Sequence, residues 1–400
     1  MSRSETLQAA HHSATLHTWQ VWLLAFGTGG MVANIYYIQP LLSAIASEFH
    51  ISISTVGAIA MLSQLGTALA MFLFVPLGDT KERRGLIVKL ILVASLSLVL
   101  MATARTAWWL ALAGFGVGIA GAIVHVIVPY AAHLALPAKR GAIVGTVLSG
   151  LLLGILLART FSGLFGAWLG WRSIYWIAAI LMLLIAALFH FRLPRSGPAV
   201  QLSWAALIRS AARLVGTQPV LREASALGAV FFAAFSAFWT TLVFFLQTPP
   251  YHYGSGVTGL FGLVGAVGAL AAPLIGRTAD RYGARRNIGL ALLVTFASFI
   301  VFYLWGTNLS GLIIGVVLLD IGVQAGHVSN QTRIYALVPE ARSRLNMVYM
   351  ICYFIAGALG SYFGTLLWQR FGWAGVCGLG GTLMLAGCFI YWWTGRTRHA

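Results

Sequence analysis

Pro76-Leu77-Gly78-Asp79-Thr80-Lys81-Glu82-Arg83-Arg84 and Gly276-Arg277-Thr278-Ala279-Asp280-Arg281-Tyr282-Gly283-Ala284-Arg285-Arg286 are two charged loops set between long apolar runs, half a chain apart. Asp79 and Asp280 lie 201 positions apart. His125 and His327, Pro137 and Pro339, and Gly170-Trp171 and Gly372-Trp373 repeat at 202. A half-chain repeat in so apolar a sequence predicts two related membrane lobes, with the function sought between them.

Hydrophobic residues make up 60% of the chain and charged ones only 8%, against about 25% charged in a soluble domain. Twelve runs reach the roughly 20 apolar residues that a spanning helix needs: 19–46, 54–77, 86–104, 108–134, 141–166, 173–193, 223–248, 256–276, 287–305, 309–337, 344–368 and 373–393. The short alternating segments of a β-barrel are absent. The expected fold is therefore all-α and polytopic, with twelve transmembrane helices in two pseudo-symmetric six-helix lobes. The lobes are expected at 19–193 and 223–393, with tails at 1–18 and 394–400. Residues 194–222 form the linker, whose amphipathic stretch from Trp204 to Leu214 is expected to lie on the membrane surface.

The net charge of +17 is one-sided. Of 25 Lys and Arg, only Arg105, Arg172 and Arg370 fall on the second face of the twelve-span arrangement, with Arg159 inside a span. Basic loops stay cytoplasmic, so both termini are expected inside. Spacing among short loops is unlike a nucleic-acid stripe, and the lipid bilayer is the expected partner of these charges. Cys352, Cys377 and Cys388 lie within spans without paired spacing, so neither a disulfide framework nor a metal site is indicated. There is no P-loop, no Ser-His-Asp arrangement in a loop and no extramembrane domain, which argues against an enzyme, a cofactor or an obligate protein partner.

Asp320 is the one acidic residue deep in a span. A carboxylate there must be paired, protonated or facing water. A low-dielectric site tolerates neutral Asp where it does not tolerate the ion, as a proton-coupling residue requires; the alternative is a structural carboxylate permanently paired to a basic neighbour. Arg159 is the one basic residue deep in a span. It can pair with Asp320, bind an anionic or polar substrate, or repel cations from a leak path. Asp320, Gln324, His327 and Gln331 share one helix face, and His327 reads either as a proton carrier or as a satisfied packing residue. His125 and Tyr130 in span 4, Asn34, Tyr37 and Gln39 in span 1, and Phe235 and Trp239 in span 7 complete a candidate small-molecule cavity.

Over essentially its whole length the chain resembles the major facilitator superfamily. Gly276, Asp280, Arg281, Gly283, Arg285 and Arg286 match its second loop signature. Asp79, Arg83 and Arg84 match the first, which departs from the pattern at Val75, Thr80 and Glu82. The resemblance implies that both loops gate the two lobes, and that spans 1, 4, 7 and 10 surround a central path. Gly145, Gly154, Ala158, Ser162 and Gly163 follow the family's antiporter motif in span 5, but Arg159 replaces its Pro. Asn34 to Leu42 and Gln324 to Arg344 resemble the bacterial drug and metabolite proton antiporters. That branch implies a secondary active transporter of the bacterial inner membrane, exporting a drug, sugar or nucleoside-like molecule against protons by alternating access. Proton symport, uniport and a non-transporting sensor are the alternatives.

Overall fold

A computed structural model describes residues 16–136, 139–197, 203–270 and 283–396. The first half comprises α1 (Thr18–Tyr36), a 3-10 turn (Gln39–Leu41), α2 (Leu42–Phe49), α3 (Ile53–Thr80), α4 (Arg83–Ala102), α5 (Ala107–Gly121), α6 (Val124–Leu134), α7 (Arg140–Leu169) and α8 (Arg172–Arg192). A linker helix α9 (Trp204–Thr217) follows. The second half has α10 (Pro219–Gln247), α11 (Ser255–Leu270), α12 (Ala284–Trp305), α13 (Leu309–Tyr335) and α14 (Arg342–Arg396). Among the described residues ten segments are long and apolar enough to cross a membrane. The last breaks into two at Gly372, and α11 is a shorter apolar helix, which recovers the twelve expected spans.

Span 1 departs from a simple rod. Pro40 has no N–H to give the carbonyl of Tyr36, and its ring crowds that carbonyl, so α1 stops at Tyr36 and the chain re-enters helix as α2. Span 4 is likewise divided, between α5 and α6. α10 starts at Pro219, four residues earlier than expected, because Pro fits the first helical position. Elsewhere the starts carry side-chain caps. Ser52, Glu82, Thr106, Ser203 and Asn308 accept backbone N–H groups at the heads of α3, α4, α5, α9 and α13.

The sequence repeat is visible as matched geometry. Gly170 (φ 81°) and Gly372 (φ 60°) each turn one span into the next at a positive φ that a side chain would disfavour. Arg84 Nη1 donates to the carbonyls of His190 and Leu193, both at 3.0 Å. Arg285 Nη2, 201 residues on, donates to the carbonyl of Tyr391 at 2.7 Å. Each loop arginine thus ties span 3 of its lobe to span 6. Two apolar cores follow the halves, with Val243 and Phe244 reaching into the first and Met71, Val75 and Ala122 into the second.

The lobes join at the end away from the basic loops. Gln64 Nε2 donates to Ser361 Oγ at 2.8 Å, Thr160 Oγ1 to the Gly259 carbonyl at 3.0 Å, and Gln247 Nε2 to Ser43 Oγ at 2.7 Å. At the basic end α9 bridges the halves: Trp204 Nε1 donates to the Leu73 carbonyl, and Arg344 Nη1 donates to Ser210 Oγ. Leu207 and Ala211 are its buried face. α10 is central, 83% of its most apolar stretch being buried, against 17% for α7. Large apolar side chains such as Ile180, Leu184, Leu293 and Tyr303 face outward, as a lipid-facing surface requires.

Candidate functional site

Arg159 and Asp320 come from opposite lobes and meet around one indole. The guanidinium of Arg159 lies over Trp239 at 4.0 Å, with Tyr36 at 4.9 Å and Phe235 at 5.6 Å from their ring centres. Its Nε donates to Gln39 Oε1 at 2.7 Å. Aromatic faces suit a weakly hydrated guanidinium in low dielectric. The break in span 1 sets this up, because it turns Tyr36 and Gln39 toward α7.

The approach of the lobes depends on a glycine face of α11. A Cβ at Gly262 would stand 2.9 Å from Arg159 Cβ. One at Gly265 would stand 3.2 Å from both Asp320 Oδ1 and Trp239 Cζ2. Asp320 is 7% exposed, Arg159 2% and Trp239 2%. The two charges lie within electrostatic reach of each other, yet no hydrogen bond joins them. Arg159 Nη2, Asp320 Oδ2 and Trp239 Nε1 are each buried without a hydrogen-bond partner. Buried polar atoms without partners are uncommon in folded proteins and call for an explanation. A cavity of about 10 Å³, room for roughly one water molecule, adjoins the group and shares Tyr36 and Gln39 with it.

Arg159, Gln39, Phe235, Trp239 and Asp320 are thus brought together. His327 lies further along α13, its Nδ1 3.0 Å from Tyr349 Oη and its ring 4.9 Å from that of Tyr353. His125 is within electrostatic reach of it from the other lobe. Gln331 donates to Asn346, and Gln324 is half-buried. Tyr37 is buried beside the span 1 break, and Asn34 is buried with both amide atoms unpartnered. The structure places Tyr130 apart, donating to the Pro194 carbonyl at 2.6 Å.

In the first loop Arg83 is buried and donates to the Gly78 carbonyl at 2.9 Å. Glu82, at a position where the family pattern has Gly, accepts the N–H groups of Arg84 and Gly85. The side chain of Asp79 lies outside the described residues, as do Gly276, Asp280 and Arg281. Gly283 precedes α12 at φ 88°, and Arg286 is exposed. Arg285 also donates to Glu223 Oε1 at 3.2 Å, while Arg333 Nη2 meets Glu223 Oε2 at 2.7 Å. Glu223, 3% exposed, is a buried acid that sequence reasoning put at a helix end. The earlier start of α10 at Pro219 was the available signal.

The Major Facilitator Superfamily model matches residues 24–272 and again 251–400, which together span nearly the whole chain. The chain belongs to that superfamily. It is a membrane transporter of that kind, and members move solutes rather than catalyse covalent chemistry. It is 42% identical over 377 residues to the putative uncharacterized transporter YgaY of Escherichia coli (strain K12), covering 94% of this chain and 95% of that one. It is 33% identical to the probable transporter SCO4007 of Streptomyces coelicolor, covering 91% and 85%. It is 26% identical to a probable sugar efflux transporter of Pasteurella multocida, covering 89% and 88%. A bacterial homologue of the human lysosomal transporter Spinster, solved in an inward-facing, unoccupied conformation, superposes with a TM-score of 0.77 at 17% identity. That match covers 95% of this chain and 97% of the other, and it shows the shared fold.

Proposed function

We propose that this transporter exports a small organic molecule across the bacterial inner membrane in exchange for protons, by rocking its two lobes about the buried site. The observation that carries this reading is the buried, unpartnered Asp320 oxygen within the field of Arg159. A carboxylate locked in a made ion pair has no reason to exchange its proton. One that is near a cation but unbonded to it can ionise or accept a proton as the lobes move. Arg159 biases that exchange, and His327 with His125 lies on the way to the basic end. The name of the Pasteurella relative agrees with export. The loop arginines hold each lobe together as a body that can rock, with both termini on the cytoplasmic side.

The test is flux in proteoliposomes loaded in turn with labelled sugars, nucleosides and amino acids, with and without an imposed proton gradient. For whichever solute the native chain carries, Asp320→Asn abolishes uphill movement and leaves downhill flux measurable. Uphill movement by Asp320→Asn makes the carboxylate structural, and native flux indifferent to the gradient removes proton coupling.

A further inference from the structure

We infer, building on the export reading, that the solute is a small zwitterion with an apolar side chain, of the α-amino acid kind. Its carboxylate sits on Arg159 Nη2 and Trp239 Nε1, and its ammonium sits on Asp320 Oδ2.

Three orphaned atoms gather around one indole, and their chemistry is specific. Arg159 Nη2 and Trp239 Nε1 are donors only, and Asp320 Oδ2 as an ion is an acceptor. Trp239 is common to both: its face lies under the Arg159 guanidinium at 4.0 Å, and its Cζ2 and the Asp320 oxygens converge on Gly265, each 3.2–3.3 Å from where a Cβ there would stand. A solute with one anionic and one cationic group satisfies all three and adds no net charge to a low-dielectric interior. A sugar offers hydroxyls that leave both charges weakly compensated. A simple cation answers Asp320 alone, and a simple anion answers Arg159 alone.

The rest of the lining fits the remainder of such a molecule. The adjoining cavity is walled mainly by Ile35, Ile38, Ala60, Phe232 and Phe354, with Gln64 and Ser236 as further polar members beside Tyr36 and Gln39, a largely apolar slot for an aliphatic or aromatic side chain. It holds little more than a water in this arrangement, so the solute enters when the lobes part further at the basic end. An ammonium on Asp320 Oδ2 also excludes a proton from that oxygen. Solute and proton then occupy the carboxylate alternately, as exchange requires.

Competition on the native full-length chain in lipid nanodiscs tests this, with tritiated L-phenylalanine as the probe. Unlabelled L-phenylalanine displaces it at least about tenfold better than L-phenylalaninamide, which lacks the carboxylate, or N-acetyl-L-phenylalanine, which lacks the ammonium. Arg159→Gln then binds L-phenylalanine no better than the amide, and Asp320→Asn binds it no better than the N-acetyl compound. Because the analogues act on the native chain, the result does not depend on either variant folding. Equal competition by either analogue, or no saturable binding of L-phenylalanine and L-leucine, overturns the zwitterion. The export reading fails on a separate result, namely flux of the transported solute that ignores the proton gradient.

Discussion

Glu223 shows what a single side chain can do in this molecule away from the site. Its carboxylate is held between Arg285 and Arg333, with its own side chain 1% exposed and that of Arg333 9%. Removing one partner of such a group leaves a buried charge uncompensated, a loss of about 3–5 kcal/mol. Glu223→Gln should therefore lower the thermal unfolding midpoint of the detergent-purified chain by several degrees. The exposed pair of Arg172 with Glu48, whose side chains are 34% and 43% exposed, is expected to shift it by little, since such pairs are worth about 0–1 kcal/mol. A midpoint as sensitive to Glu48→Gln as to Glu223→Gln counts against the buried cluster. Asp320 and Arg159 were legible in the sequence because a charge in an apolar run has no cheap explanation. Glu223 was not, because it follows Arg222 and a basic linker, while its partners lie 62 and 110 residues away. Tyr36 stands among the span 1 polar residues of the sequence, and its placement against Arg159 comes from the turn that Pro40 forces.

At the scale of elements, α11 decides whether the lobes can meet. A Cβ at Gly259 would lie 2.5 Å from the carbonyl oxygen of Arg159, a backbone atom that cannot rotate away. Gly259→Ala should push α7 off α11 and carry Arg159 away from Trp239. Solute binding is then expected to fall by about tenfold or more, because the guanidinium no longer stacks on the indole or reaches the solute with its hydrogen bond. Gly256→Ala is the control, because its Cβ meets Ala167 Cβ at an ordinary 3.5 Å. Binding assays on both variants, matched for monodispersity, check this; equal affinities show that α7 tolerates the displacement. The helices themselves were readable from apolar run length. The close glycine crossings were not, since composition shows how many glycines a span has and not which backbone crosses them.

For the whole molecule, the repeat read from paired landmarks holds as geometry, down to Arg84 and Arg285 bonding carbonyls from positions 201 residues apart. What sequence could not supply is the relative position of the halves, because nothing local distinguishes a lobe seam open at one end from one open at the other. Here the seam is closed away from the basic loops by α3 against α14 and α7 against α11, while Gly141 and Gly145 near the basic end of α7 face open space. Alternating access requires that closed end to part once per cycle. The 3.5 Å between Ala167 Cβ and a Cβ at Gly256 falls within the span of about 3.5–4.5 Å that a disulfide bridges. With Cys352, Cys377 and Cys388 replaced, the pair Ala167→Cys and Gly256→Cys should therefore cross-link α7 to α11 on oxidation. Transport in proteoliposomes should stop when the bond forms and return on reduction, while solute binding from the basic side persists. Cross-linked protein that transports at the reduced rate shows that the lobes do not separate at this end, and rocking about the Arg159–Asp320 site then fails as the mechanism.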